Sequence, residues 1–375
     1  MIRVESAHSR YRLQLEALAG PDLLVAAANE AGERWGWPER RDWQRMHERF
    51  EPDREPYATC VLATAEAPQR IVRLDVFGSA IRATRFPEDS ALPTLPRVLT
   101  GRSRVVRYHP GRRCTIRVDE NGSTRFVKVY ADESGARVHA DGLELSRAAD
   151  RGQLDFLVAA PERFDPELRA VWQQRVGGDA VKHRLDEPLA QRIGHAAASL
   201  PRSSVRPRRR RDRQSELDRS TFRCAELVQR VPALREPAKR LLGALATTLA
   251  ACNATEPRPI HGALHAAQWL DNGAGLALLD YDSLALGDPE LDAATFLADL
   301  DFQNRERVAV DRLAAAFISG YEAAADPLDP RLLATYRAQR RLEKALRVAR
   351  TLRPDGDEKA VRRLSRALDC SEGVE

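Results

Sequence analysis

The sequence predicts an α+β fold in two lobes. β-strand patterns come first along the chain, whereas helical patterns dominate from about residue 179 onward. The chain has 375 residues, 43% of them hydrophobic, which is enough for two or three domains with sizeable cores. We therefore predict an N-terminal extension with a helix and a β-hairpin at 1–100, a small β-rich lobe at 101–178 and a mainly helical lobe at 179–375.

The N-terminal extension begins with a helical pattern and continues with strands. Apolar residues give positions 8–50 a mostly helical character. The period then changes, because 57–64 and 70–77 run apolar with β-branched residues. The polar stretch with Pro68 between them indicates an antiparallel pair. Residues 86–99 are punctuated by proline and are predicted to form a connector with one short helix.

The β-rich lobe contains a second strand pair. Residues 103–118 and 124–132 are strand-like, and the Asn121-Gly122 dipeptide between them is a strong hairpin signal. A helix is predicted from 134 to 151. Two short strands follow in 154–178, which ends at a double glycine.

The third region is predicted to be helical except for two short strands in 259–292. Its helical segments carry apolar residues at intervals of three and four. These segments are 195–200, 226–234, 238–252, 310–324 and 330–352.

Composition excludes several classes of protein. No apolar run approaches the roughly 18 residues that span a bilayer, and the N-terminus lacks the apolar stretch of a signal peptide. We therefore expect a cytoplasmic protein without a membrane segment. The five cysteines are scattered without a CxxC pair, which argues against a disulfide framework and against a zinc site. We expect reduced, mostly buried thiols.

Positive charge is concentrated in the run RPRRRRDR at 206–213, although the net charge of +5 is modest. Such a run could bind RNA, DNA or an acidic protein partner. No aromatic residues interleave with it, as a stacking surface for single strands requires. A solvated loop between helices is therefore the favoured interpretation, ahead of a nucleic-acid site.

Lys128 is one of only five lysines, and it lies inside the apolar strand FVKVY. On a strand, Lys128 faces the side opposite to its two valine neighbours. Taken alone, an exposed edge lysine is the ordinary explanation. Glu144 on the next predicted helix changes this, because an ion pair from a strand lysine to a helix glutamate is how kinases fix a lysine against nucleotide phosphates. Glu133 is the competing partner.

The segment YHPGRRC forms the turn before the hairpin that carries Lys128. Gly111, Arg112 and Arg113 could close over phosphates through backbone donors and guanidinium groups. An ordinary hairpin with a glycine is the alternative, since no GxGxxG motif is present.

The most specific signal lies in 259–292. HGALHAAQ has the spacing H-x-D-x-x-x-x-N, with His261 first, Ala263 at the carboxylate position and Gln268 at the amide position. Asp280 ends the apolar run GLALLD. Phosphoryl transfer needs an oriented acceptor and a divalent metal, and magnesium prefers oxygen ligands. We therefore expect Asp280 and the Gln268 amide oxygen to be metal ligands. A buried hairpin with a polar turn is the alternative, but it has little use for these residues at this spacing.

With these motifs the chain resembles the aminoglycoside phosphotransferase family, within the protein-kinase-like fold. The resemblance rests on HGALHAAQ, LLDYDSLALGDPELD, FVKVY and their order, and it covers about residues 100–350. It implies a bilobal kinase-like fold that transfers the γ-phosphate of ATP, with magnesium, to a hydroxyl of a small molecule. It also implies that Lys128 holds phosphates, that Glu144 braces Lys128 and that Asp280 binds magnesium.

The resemblance assigns two further groups of residues. Gln173, Gln174 and Val176 of VWQQRVGG are implied to form the hinge beside adenine. Asp288 and Asp292 of GDPELD are implied to be structural carboxylates that cap helices and brace the catalytic loop.

Ala263 is the main departure from the family pattern, in which aspartate follows the histidine-glycine pair as the base or orienting group. A methyl group can do neither, and general-base assistance is worth roughly 10²- to 10⁴-fold. Glutamine at 268 is a mild departure that adds one methylene. Three explanations stay open for Ala263. His265 or Asp282 substitutes for the missing group, the protein is a natural pseudokinase, or the alanine is an engineered substitution.

Two functions follow. The first is an ATP-binding phosphotransferase for a small hydroxyl compound, weakened or silenced at Ala263, with Asp299, Asp301 and Glu306 available to a cationic substrate. The second is a non-catalytic regulator or scaffold whose kinase-like core binds a protein partner. Nucleic-acid binding through 206–213 is a third, less favoured possibility.

Overall fold

The computed structural model divides into two compact units. It describes residues 18, 20–51, 54–66, 69–120, 122–252, 256–303, 306–352 and 355–372. Unit 1 comprises 1–135, 164–172 and 347–360. Unit 2 comprises 136–163, 173–346 and 361–375. Residues 347–360 thus group with the N-terminal part of the chain, whereas the predicted division assigned them to the helical lobe.

The described residues form ten α-helices, four three-residue 3₁₀ helices and sixteen strands. The helices are α1 (Pro21–Arg34), α2 (Leu95–Val98), α3 (Ser134–Asp150), α4 (Glu187–Arg202), α5 (Arg213–Arg230), α6 (Arg235–Ala251), α7 (Glu290–Leu300), α8 (Arg307–Glu322), α9 (Pro330–Ala349) and α10 (Gly356–Glu372). The first ten strands are β1 (Gln44–Phe50), β2 (Ala58–Ala63), β3 (Ile71–Phe77), β4 (Ala80–Arg85), β5 (Ser103–His109), β6 (Arg113–Glu120), β7 (Ser123–Tyr130), β8 (Leu157–Val158), β9 (Pro161–Asp165) and β10 (Ala170–Gln174). The other six are β11 (Asp179–Ala180), β12 (Arg210–Arg211), β13 (Arg258–Ile260), β14 (Trp269–Asp271), β15 (Leu276–Leu278) and β16 (Ala285–Gly287).

The first sheet of unit 1 is antiparallel in the order β1-β2-β3-β4. The predicted pair is confirmed as β2 and β3, with Cys60 opposite Leu74. The extension is nevertheless larger than a hairpin, because β1 and β4 add to both edges. Residues 44–50 were expected to be helical, and this was wrong. Pairing with β2 and packing of Met46 on the core override the local helical pattern. The predicted positions 8–17 lie outside the described residues.

The second sheet has the order β5-β6-β7-β10-β9. The predicted hairpin is confirmed as β6 and β7, with Ile116 opposite Val127; its Asn121 lies outside the described residues. Val61 and Ile71 of the first sheet share one buried core with Ile116 and Val127. Apolar side chains from both sheets thus hold the strand that carries Lys128.

In unit 2, helices α4 and α8 pack at close range. A Cβ atom added at Gly194 would overlap the Phe317 carbonyl of α8, and one added at Gly320 would overlap the Gln191 carbonyl of α4. Phe317 also stacks on Phe296 of α7 at 4.3 Å between ring centroids. The two glycines let the helix backbones approach one another, which side chains at those positions would prevent.

Two small sheets of unit 2 position the loops that contain HGALHAAQ and Asp280. Their orders are β11-β14-β15-β8 and β12-β16-β13. Strand β13 ends immediately before His261, and β15 ends two residues before Asp280. We predicted two strands in the helical region from 179 onward. The described part of that region has six, from β11 to β16. Strands of two or three residues are too short to show an alternating pattern.

Two further expectations concern the membrane and the cysteines. None of the described helices combines the length and the apolar character needed to cross a bilayer. Cys60, Cys114 and Cys224 are free and buried, and Cys252 is free and half-buried. Burial raises the pKa of the Cys60 thiol to about 12, so this thiol stays protonated at neutral pH.

Candidate active site

The catalytic-loop segment HGALHAAQ is fastened by one buried carboxylate. Asp292, in the first turn of α7, accepts hydrogen bonds from the backbone N–H groups of His261 at 2.5 Å and Gly262 at 2.8 Å. Burial raises the pKa of Asp292, and the two N–H donors oppose that rise. Asp292 therefore has the bracing position that the resemblance implies for it.

Arg211 holds the same loop from another side. Its Nη1 donates to the Gly262 carbonyl oxygen, and its Nε donates to Glu216 Oε1 at 2.7 Å. Only 3% of Arg211 is exposed. The peptide at Gly262 is thus fixed by Asp292 through its N–H and by Arg211 through its C=O.

This placement of Arg211 corrects the prediction of a solvated loop for 206–213. Arg210 and Arg211 form β12, which pairs in parallel with β16, and Asp212 caps α5 by accepting from Ser215 N at 2.7 Å. The cap is visible in the sequence as an aspartate before a helical pattern. Pairing of the run with β16 is a long-range contact that no local pattern contains.

Glu216 neutralises part of the positive charge beside the loop. It is fully buried, and it forms ion pairs with Arg211 at 2.7 Å and Arg340 at 3.1 Å. Burial opposes its ionisation, but the charges of Arg340 and Arg211 outweigh burial and lower the pKa of Glu216 to about 2. A third guanidinium, that of Arg219, lies 3.6 Å away.

Gly262 must be glycine. Its φ is +78°, and a Cβ atom there would overlap the Ser283 carbonyl oxygen. The next residue, Ala263, is partly exposed. The backbone is thus firmly fixed next to a residue whose side chain is only a methyl group.

The other polar residues of the loop bond mainly to the loop itself. His261 is fully buried, and its Nε2 lies 3.1 Å from the Leu279 carbonyl oxygen. Gln268 Oε1 accepts from His265 N at 3.1 Å, and the His265 side chain accepts from the Gln268 backbone N–H. This capping box fixes the Gln268 side chain, which is buried.

Asp280 has strained backbone geometry. Its φ of 62° and ψ of 53° place it in the left-handed region, and Arg169 is the other described non-glycine residue with positive φ. Such conformations cost about 1–3 kcal/mol and cluster at functional sites. The neighbouring Tyr281 is anchored: its hydroxyl contacts Gln173 Nε2 and donates to the Ala159 carbonyl oxygen at 3.0 Å. The ring packs against Gly142 of α3.

Asp282 is held through its backbone. Its carbonyl oxygen accepts from Arg137 Nη2 at 3.0 Å, and Arg137 Nη1 donates to Asp141 at 3.1 Å. Both partners lie on α3, so this helix is connected to the loop that carries Asp280 and Asp282.

The predicted hinge residues face different ways. Gln173 is buried with its side chain directed at Tyr281. Gln174 is exposed, and its backbone N–H donates to the Ala160 carbonyl oxygen at 3.0 Å. Val176 is half-buried. Any contact of Gln173 with adenine would therefore have to use its backbone.

Lys128 and Glu144 belong to different units, so their ion pair stays a prediction. Lys128 lies in β7 opposite Thr115 and is 7% exposed, which rules out the simple exposed-edge explanation. Glu144 lies on α3 and accepts from Arg147 Nη1 at 2.7 Å. The competing residue Glu133 is 3.6 Å from Arg169.

The glycine-arginine turn is tied to the connector before it. Asp89 Oδ2 accepts from Gly111 N at 2.8 Å and from the Tyr108 hydroxyl at 2.7 Å. The Gly111 N–H is therefore directed at a carboxylate of the protein, and the expected donation of this group to a phosphate is wrong for this conformation. Arg112 and Arg113 follow in the turn and in β6, where their guanidinium groups remain candidates for phosphate contact.

The acidic residues expected to meet a cationic substrate are largely neutralised. Asp301 pairs with Arg337 at 2.6 Å and Arg341 at 2.7 Å, and Asp299 pairs with Lys344 at 2.5 Å. That expectation was therefore wrong for both aspartates. Glu306 is exposed.

Asp288, the other carboxylate of GDPELD, also has fixed partners. It accepts from Arg213 Nε at 3.0 Å and from the Tyr336 hydroxyl at 2.6 Å. It thus joins α5 and α9, so its role is structural, as the resemblance implies.

The family is decided by comparison with known proteins. A family model described as the phosphotransferase enzyme family matches residues 112–328, which is more than half of the chain. The chain belongs to the phosphotransferase enzyme family. This confirms the resemblance drawn from HGALHAAQ and LLDYDSLALGDPELD. None of the curated proteins compared with this phosphotransferase-family chain matches it.

Solved structures of kinases resemble this family member in fold. Amicoumacin kinase hAmiN, in complex with AMP-PNP, Ca2+ and Ami, is 13% identical with a TM-score of 0.54, over 71% of this chain and 88% of that chain. Choline kinase from Cryptosporidium parvum Iowa II is 11% identical with a TM-score of 0.52, over 76% and 93%. The GDP and kanamycin complex of APH(2")-IIia is 15% identical with a TM-score of 0.50, over 74% and 96%. These similarities confirm the predicted α+β, protein-kinase-like fold.

The Glu216 network predicts a specific dependence of stability on pH. A folded-state pKa of about 2 lies below the ordinary value of about 4.3, so ionised Glu216 stabilises the fold above the unfolded-state pKa. This contribution is lost as pH falls through about 4 toward about 2. We expect Glu216→Gln to lower the free energy of unfolding by about 3–5 kcal/mol at pH 7, and by less at about pH 3.

Urea unfolding at both pH values measures this difference. Asp218→Asn is the matched control, because Asp218 is exposed on the same helix. If Glu216→Gln lowers the free energy of unfolding as little as Asp218→Asn does, or by the same amount at both pH values, the ionised Glu216 network is contradicted.

Proposed function

We propose that this protein binds ATP and transfers its γ-phosphate to a hydroxyl of a small molecule, at a rate limited by Ala263. The observation that supports this most is the strained, left-handed Asp280 beside a loop whose Gly262 peptide is fixed on both sides. A backbone conformation that costs free energy persists where the site needs the side chain in that direction. Two of the structural neighbours named above were solved with AMP-PNP or GDP, which supports nucleotide use.

The donor set fits magnesium. The Asp280 carboxylate and the Gln268 amide are oxygen donors, the class that hard cations prefer. The Gln268 oxygen accepts one hydrogen bond from His265 N and has a second lone pair for the ion. No group of three or more His, Cys, Asp or Glu side chains suited to a metal occurs in the described part of the chain. This agrees with magnesium sites that use one or two protein oxygens together with substrate phosphates. When bound with ATP, the ion would neutralise charge that develops on the phosphates.

The protein's own contribution is mainly to position groups. Asp292 and Arg211 fix the loop that would present the acceptor hydroxyl, and Lys128 is proposed to contact the phosphates. Glu144 and the guanidinium groups of Arg112 and Arg113 are proposed to assist nucleotide binding. Gln174 and Val176 are proposed to lie beside adenine.

Of the two candidates to replace the missing carboxylate, Asp282 is the better one. The His265 side chain already accepts the Gln268 backbone N–H, and a neutral imidazole has a single acceptor nitrogen. Asp282 has two carboxylate oxygens, so an interaction at one of them leaves further acceptor sites, and Arg137 fixes its backbone.

A second candidate function is a non-catalytic, nucleotide-binding regulator. Ala263 is the observation that favours it, because a methyl group neither accepts a proton nor orients a hydroxyl. This function would use the same nucleotide site to signal to a protein partner.

Nucleotide binding is tested by thermal unfolding of the full chain with ATP and magnesium, and with ATP and EDTA. A ligand that binds only the folded state stabilises it by about 2.7 kcal/mol at 100 times its Kd. We expect the Tm to rise with ATP and magnesium, to rise less with EDTA, and to lose the magnesium-dependent part in Asp280→Asn. Asp311→Asn on the exposed face of α8 is the control. A Tm that nucleotide does not change in the unaltered chain would refute both candidate functions.

Catalytic competence is tested by Ala263→Asp. A carboxylate in this loop should raise the rate of ATP hydrolysis by about 10²- to 10⁴-fold, the usual size of general-base assistance. Ala267→Asp places the same side chain at an exposed position of the same loop and should leave the rate unchanged. If Ala263→Asp binds nucleotide but remains as slow as the control, the regulator is the better function.

A further inference from the structure

The arginine run lies against the two loops of the candidate site. The Arg209 carbonyl oxygen accepts from Leu286 N at 2.8 Å, and Arg211 is in register with Gly287. Beyond this strand pairing, Arg211 reaches the Gly262 carbonyl. The run is therefore part of the wall of the site in unit 2.

Burial separates the arginines into two groups. Arg211 is buried and Arg209 half-buried, whereas Arg208 and Arg210 are exposed. Arg210 and Arg211 form β12, where successive side chains lie on opposite faces, and the Arg209 carbonyl continues the pairing with β16. Arg209 is therefore partly buried directly before the arginine that meets the catalytic loop, and Arg210 is exposed on the opposite face of that strand.

Positive charge around Arg209 and Arg211 exceeds the negative charge that balances it. Glu216 forms ion pairs with Arg211, Arg219 and Arg340, and Arg340 also shares Glu343 with Arg223. Within the described part of the chain no carboxylate pairs with Arg209, and the buried Nη2 of Arg211 has no hydrogen-bond partner. Glu216 attracts Arg209 without forming an ion pair with it, and a half-buried guanidinium without an ion-pair partner is costly unless a ligand supplies one.

The neighbours of Arg209 are themselves cations. Burial, and then the charges of Arg211, Arg219 and Arg137, lower the pKa of Arg209. Arg137 pairs with Asp141 and holds the Asp282 carbonyl, so the cluster borders both loops.

The negative groups nearby do not cancel this excess. Asp292 attracts Arg211, but its two oxygens already accept from the His261 and Gly262 N–H groups. Asp280 and Asp282 lie on the second loop, where Asp280 is assigned to magnesium in the proposed function. The acidic residues of the helical part, Asp299 and Asp301, are paired with Lys344 and two arginines. They leave little negative charge for a cationic acceptor.

We propose that the acceptor of this site is an anion: a small hydroxyl compound that also carries a carboxylate or phosphate group, which Arg209 binds. This inference rests on the proposed function and specifies its substrate class. A guanidinium is well suited to either group, because it presents two parallel N–H donors to a pair of anionic oxygens.

The test uses calorimetry on the full chain and ligands that share one sugar ring. The anionic probes are glucuronate and glucose 6-phosphate, the neutral probe is glucose and the cationic probe is glucosamine. Each is titrated in the presence of AMP-PNP and magnesium, and again without nucleotide. We expect at least one anionic probe to bind about tenfold more tightly than glucose, and glucosamine more weakly than glucose. The better of the two anionic probes identifies the acidic group.

Arg209→Gln should remove the preference for the anion, and Arg209→Lys should keep part of it. Arg210→Gln is the matched control, since it removes the same charge from the exposed face of the same segment and should keep the preference. The inference is overturned if glucosamine binds most tightly, if neither anion binds more tightly than glucose, or if the two glutamine variants behave alike. AMP-PNP binding to the same protein sample is also measured by calorimetry. Its absence would refute the proposed function, while the titrations without nucleotide still decide the anion preference.

Discussion

The candidate site depends on one buried carboxylate. Asp292 accepts from the two consecutive N–H groups of His261 and Gly262 and thereby fixes the start of the catalytic loop. Buried backbone donors without partners cost free energy, and a buried carboxylate without donors costs more, so each group makes the burial of the other tolerable. Arg211 completes the arrangement at the Gly262 carbonyl. The geometry of the loop therefore does not require a side chain at Ala263.

An alanine can therefore occupy position 263 without disturbing the loop. A loop held by Asp292 and Arg211 keeps its shape whether residue 263 is aspartate or alanine. Loss of the carboxylate would remove proton transfer and hydroxyl orientation, while positioning and electrostatic stabilisation by other groups would persist. A weakened enzyme and a nucleotide-binding regulator are both compatible with such a framework. The acceptor preference proposed for Arg209 applies only to the enzyme.

The strongly patterned parts of the fold could be predicted from the sequence. The β2–β3 pair, the β6–β7 hairpin and helix α3 appear where periodicity and the turn dipeptide placed them. The protein-kinase-like fold followed from motifs with a fixed order. What could not be predicted was short or non-local: β12 has two residues, and Arg211 meets Gly262 across 51 positions of sequence. A run of arginines carries no local signal that one member is buried.

The residues of the candidate site also divide into those that belong to a sequence motif and those that do not. Asp292 was placed correctly because it belongs to a motif, whereas Asp89 and Glu216, which fix the glycine-arginine turn and Arg211, belong to none. The roles of Lys128, Asp280 and Gln268 toward nucleotide and metal stay predictions. The left-handed backbone of Asp280 is a feature that only coordinates reveal, because nothing in GLALLD requires it.

Amide hydrogen exchange of the peptide covering 258–268 tests the central claim most directly, because the claim concerns the protection of two named N–H groups. Asp292→Asn keeps the size of the side chain but offers one acceptor oxygen in place of two. We expect faster exchange in this peptide in Asp292→Asn, with the exposed Asp311→Asn control unchanged and the peptides of α4 and α8 still protected in both variants. Exchange in 258–268 at the rate of the unaltered protein would show that the loop does not depend on Asp292, and would contradict the account.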